Sequence, residues 1–145
     1  MLRKSFLIFL IITAISVSAA FTQSIYTPKK GSKERAKILD ALRSPVEKEL
    51  NQDIQFSVDN FNVSGNWAFV SGEPLNKSGE KPNLTGTIYE EQAEAGVFDD
   101  NFFGLLKKDG GKWRVVTYAL GCTDVCYANW WKEYKAPKAI FPYTE

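Results

Sequence analysis

Between Ser32 and Leu50 apolar residues recur at helical spacing, with Ile38, Leu39, Leu42, Val46 and Leu50 on one face. Ser32 is placed to cap this helix, and Glu34 sits near the positive end of its dipole. Pro45 interrupts the run. Because Ser44-Pro45-Val46-Glu47 has the form of a capping box with proline at the first helical position, the pattern predicts two short helices or one kinked at Ser44.

Beyond Asp53 the period changes from helical to alternating. Ile54, Phe56 and Val58 point one way, and Gln55, Ser57 and Asp59 the other, as in a half-buried strand. The phase slips between Asp59 and Phe61, so Phe61 and Val63 resume the apolar set one register later and a bulge is expected there. Ser64-Gly65-Asn66 then turns the chain into Trp67 to Gly72, completing a hairpin. Residues 72–84 are rich in glycine, proline and asparagine and read as a surface loop, whereas 85–100 mixes strand and helix signals. A second hairpin is formed by Phe102 to Lys108 and Lys112 to Ala119 around Asp109-Gly110-Gly111. Thr123 is a cap for a helix running to about Tyr134, before Pro137.

These elements predict an α+β fold: an N-terminal helical segment packed on a curved antiparallel sheet of about four strands (54–63, 66–72, 102–108, 112–119), with a C-terminal helix. Each apolar face needs the other for burial.

The first residues carry a different signal. Arg3 and Lys4 precede the apolar run Phe6 to Val17, and Ser18-Ala19-Ala20 follow, which reads as a secretory signal peptide over 1–20; an uncleaved anchor is the alternative. Residues 21–31 are then a linker and 32–145 a single domain. Loss of Arg3 and Lys4 lowers the formal net charge of +1 by two, which removes any electrostatic case for nucleic acid. Lys29, Lys30, Lys33, Arg35 and Lys37 cluster at the start of the helical pattern and read as a solvated face or a membrane-surface patch. Export makes the protein periplasmic or secreted, without stable membrane insertion after cleavage. Cys122 and Cys126, four apart, are then expected to form a disulfide at the start of the last helix, with a redox pair as the alternative.

Gly65-Asn66-Trp67-Ala68-Phe69-Val70, and more strongly Leu105 through Val116 with its Lys-Lys-Asp-Gly-Gly-Lys-Trp core, resemble the NTF2-like (SnoaL-like) α+β superfamily. The resemblance covers roughly 32–120 and implies a helical layer on a curved antiparallel sheet. This chain departs from the superfamily in its short helical region and in Cys122 to Glu145, which has no counterpart in the simplest members. A cystatin-like arrangement, one helix laid on an antiparallel sheet, therefore stays open.

Chemistry is constrained mainly by what the composition lacks. With no histidine and two cysteines, Ser-His and Cys-His nucleophiles, imidazole metal sites, zinc ribbons and iron–sulfur clusters are excluded, and no metal or cofactor is expected. The acidic residues Glu90, Glu91, Glu94, Asp99 and Asp100 match no EF-hand and read as a wet loop. Trp67, Phe69, Tyr89, Phe103, Trp113 and Tyr118 are candidate walls of an apolar ligand pocket on the sheet, with filled core as the alternative. Trp130 and Trp131 are hard to bury together in one small core, so one of them is a candidate partner contact. The expected function is a non-enzymatic exported module that binds a small apolar ligand or a protein partner. Its rival is a pocket enzyme of isomerase or dehydratase type, as in some NTF2-like proteins, using Asp99 or Asp100 with Tyr89 or Tyr118 for proton transfer.

Overall fold

The computed structural model describes residues 23–145, so the expected leader over 1–20 and its expected cleavage site lie outside the described residues. The helical stripe forms one uninterrupted helix, α1 (Lys33–Leu50), with Pro45 inside it. Ile38, Leu42, Val46 and Leu50 are all buried on its inner face. Burying Val46 and Leu50 contributes about 3–6 kcal/mol, against about 3 kcal/mol for an interior proline, so a break that turned the last two anchors off the core would cost at least as much as the proline does. Ser32 Oγ accepts from the Arg35 amide at the N-cap, and Asn51, in the left-handed region at φ 52°, ends the helix.

Four strands follow in a simple meander: β1 (Gln55–Ser64), β2 (Trp67–Leu75), β3 (Phe102–Asp109) and β4 (Lys112–Leu120), antiparallel throughout and hydrogen-bonded in the order of the chain. The expected phase slip in β1 is present as a register shift between Val58 and Asn60, and it places Phe61 and Val63 on the same side as Ile54. The α1 side of the sheet is filled by Ile54, Phe61, Val63, Val70, Phe102 and Leu106 against the helix. Gly104 permits the close approach of helix and sheet, since a β-carbon there would lie 2.8 Å from Leu42 Cδ2.

The outer face is covered by the C-terminal segment. Tyr127, Trp130, Ala136, Ile140 and Phe141 pack on Phe69 and Leu105. After the short helix α2 (Glu90–Glu94) between β2 and β3, only one more short helix, α3 (Trp130–Glu133), forms where a helix from Thr123 to Tyr134 is expected. The amides there close shorter rings than a helix does, with Cys126 N–H donating to Asp124 O and Ala128 N–H to Val125 O, while the Asn101 side chain donates to Cys122 O at 2.7 Å and accepts from the Cys122 amide, so the chain leaving β4 is held beside the start of β3 through a run of turns. The Cys122–Cys126 disulfide is formed, with a Cα separation of 6.2 Å, and therefore staples the turn between β4 and α3 instead of the start of a helix. Closing so short a loop contributes about 2 kcal/mol in the chain-entropy model.

The 23–31 segment is also tied down. Tyr26 exchanges backbone hydrogen bonds with Val63, the Tyr26 hydroxyl donates to Glu34, and the Pro28 carbonyl accepts from Arg35. Among the described residues no helix is long and apolar enough to cross a membrane.

Candidate functional site

The sheet divides the six candidate pocket residues between its two faces. Trp113, Tyr118 and Tyr89 pack on the α1 side, whereas Trp67, Phe69 and Phe103 pack under the C-terminal segment. Strand register explains the division: Trp113 pairs with Lys108, which shares its face with Gly104 and Leu106, while Trp67 and Phe69 pair with Lys107 and Leu105. Both faces are occupied by core, so these six side chains do not line a common cavity. Of the two candidate contact tryptophans, Trp130 is buried and Trp131 is half-buried. Trp131 donates through Nε1 to Glu145 O, and Lys138 lies 4.6 Å from its ring centroid.

Tyr89 and Tyr118 do meet, on a residue that periodicity presents only as a polar position of a helix. Both hydroxyls donate to the carboxylate of Glu49, one to each oxygen. Glu49 comes from the last turn of α1, Tyr118 from β4, and Tyr89 from the residue before the short helix α2 (Glu90–Glu94). The cluster thus ties the 76–101 excursion to the helix and the sheet. Asp99 and Asp100 are not the partners of these tyrosines: Asp100 is paired with Lys81, and Asp99 is exposed.

Burial first, and then the hydrogen bond to Glu49 and its charge, push both phenols well above the ordinary tyrosine value of about 10. The folded state therefore holds these protons more tightly than the unfolded chain does. Their contribution to stability is complete below pH of about 10 and is lost progressively as pH rises above it. Alkaline titration followed by phenolate absorbance should show Tyr89 and Tyr118 ionising late, with unfolding midpoints falling over the same range. In the Tyr89→Phe/Tyr118→Phe variant that alkaline fall should be shallower; an unchanged slope would show that the Glu49 cluster does not govern it.

A cleft of about 430 Å³ opens on the same excursion, between residues 81–85 and the stretch from Glu90 to Asp100. Pro82, Leu84, Ala93 and Phe98 supply its apolar surface, and Glu90, Glu94, Asp100 and Lys81 its polar rim. Its position is well supported. Phe98 packs against Tyr89 with ring centroids 5.1 Å apart and planes tilted by 57°, and it lies directly over Gly121, where a β-carbon would come within 2.1 Å of the ring. Beside it in the chain, Ile88 is 74% exposed and Val97 is 53% exposed. The sequence signal for this site was present in the mixed 85–100 segment, whose apolar residues match neither a helix stripe nor a strand face.

Among the described residues no group of histidine, cysteine, aspartate and glutamate side chains is placed to hold a metal ion. No family model, curated protein or solved structure matches this chain.

Proposed function

We propose that the protein is an exported, non-catalytic module that binds a small ligand, with an apolar body and a cationic end, in the cleft of the 76–101 excursion. The cleft over Leu84 and Phe98 carries this reading. Its volume of about 430 Å³ is that of a small-molecule site. On its rim Lys81 is engaged with Asp100, which leaves Glu90 and Glu94 to set the charge that a ligand meets. Export is supported by the leader pattern and by the disulfide. Kinship with the NTF2-like superfamily belongs to the same proposal, supported by the helix on an antiparallel sheet.

The proton-transfer alternative would have to use Glu49. Both phenol protons already end on that carboxylate, and the cluster lines neither the 430 Å³ cleft nor the larger one near the N-terminal segment. Binding is therefore the reading that the geometry favours.

A melting-temperature screen with hydrophobic primary amines, set against alcohols and carboxylates of the same carbon skeleton, tests the proposal. A ligand at a hundredfold excess over its dissociation constant stabilises by about 2.7 kcal/mol. Amines should raise the melting temperature of the wild type, and Ala93→Trp, which fills the cleft without removing a core side chain, should abolish the rise. No shift with any amine, or an equal shift in Ala93→Trp, would overturn it.

A further inference from the structure

A second cleft, of about 510 Å³, lies where the N-terminal segment crosses the bulged part of β1. Its lining includes Pro28, Lys29, Lys30, Arg35, Asp59 and Phe61, so three cationic side chains face it against one carboxylate. Lys29 and Lys30 are exposed, and among the described residues neither takes part in an ion pair.

Arg35 differs from them because the fold positions it. Its guanidinium carbon lies 4.6 Å from the centroid of the buried Phe61 ring, and Nη1 donates to the Pro28 carbonyl at 3.2 Å. Those two contacts fix the plane of the fork in advance of any ligand. The backbone of the lysine-bearing turn is fixed too, through the Tyr26–Val63 pairing on one side and the Ser32 amide bonded to Lys29 O on the other. The start of α1 does not account for the site, because Ser32 Oγ already caps it.

We infer that this cleft binds an anion of the phosphate class, held by Arg35 as an oriented donor and by Lys29 and Lys30 as point charges. A tetrahedral dianion presents several acceptor oxygens to converging donors, which suits one fork and two ammonium groups better than a single carboxylate would. The volume leaves room for the organic part of a phosphate ester, and Asp59 on the rim is an acceptor for a hydroxyl of that part.

Inorganic phosphate is the probe, titrated at constant ionic strength while backbone amide shifts are followed. The expected result is saturable shifts confined to 27–35 and 58–62, with binding weakened at least tenfold in Lys29→Gln/Lys30→Gln, whose two exposed positions leave the core untouched. A parallel arm uses vesicles of phosphatidylglycerol, with phosphatidylcholine vesicles for comparison. Phosphate binding without vesicle binding assigns the site to a soluble phosphate ester, and binding of both, each lost in the double variant, assigns it to a lipid headgroup. Shifts reproduced by chloride, shifts unchanged in the double variant, or vesicle binding without any response to inorganic phosphate would each overturn the inference.

Discussion

Gly72→Ala is expected to destabilise the protein by about 3 kcal/mol or more, at the upper end of overpacking costs. Gly72 is opposite Val58, where the bulge draws the β1 backbone toward β2. A β-carbon at this position would lie 1.9 Å from the Ser57 carbonyl oxygen and 2.9 Å from its carbon. Both atoms are backbone, so no rotamer change relieves the clash; the pairing itself must open. Since the bulge is what returns Phe61 and Val63 to the α1 side, opening it removes two buried side chains from the core as well. Gly104→Ala is the natural comparison, because its new carbon meets the end of the Leu42 side chain, which can move, and its cost should be about 1–2 kcal/mol. Urea unfolding of both variants measures the difference. A Gly72→Ala protein as stable as Gly104→Ala would show that the strand pairing at the bulge adapts freely.

Phe69→Ala should cost about 3–5 kcal/mol, the usual range for removing a fully buried phenylalanine. Its effect should also be directional. Phe69 is the point on the outer face where the C-terminal segment attaches, with Tyr127 at 4.8 Å and Phe141 at 5.0 Å between ring centroids. Losing that ring weakens the seat of the segment more than it weakens the helix on the other face. Under native conditions trypsin should therefore reach Lys132, Lys135 and Lys138 faster in Phe69→Ala than in Leu42→Ala, which empties a buried site under α1 instead. Equal cleavage rates in the two variants at matched stability would mean that the two faces unfold as one unit.

The elements that periodicity can report were legible. The α1 stripe and both hairpins stand where the alternation of apolar and polar residues places them, and the slip between Asp59 and Phe61 announced the bulge. The same local reasoning went astray at the C-terminus. Where a helix from Thr123 is expected, the chain makes turns instead, next to Cys122, whose amide and carbonyl are both held by the side chain of Asn101, twenty-one positions before it. Pro45 does not divide α1 into two helices, because whether proline breaks a helix depends on how firmly its neighbours are buried, and that depends on the sheet beneath.

The order of α1 and the four strands, and the antiparallel pairing within each hairpin, can be read from the chain alone, since these follow from side-chain period and short turns within a few residues. Which aromatic side chains share a face is settled by long-range packing, because one residue of register or one bulge exchanges the two faces, and nothing in composition records that choice. That packing also decides where chemistry converges. Glu49 meets Tyr118 across sixty-nine positions of chain, and Arg35 on α1 meets Phe61 on β1. Such meetings are set by the packing of α1 on the sheet, a long-range outcome that leaves no periodic mark on the residues that take part.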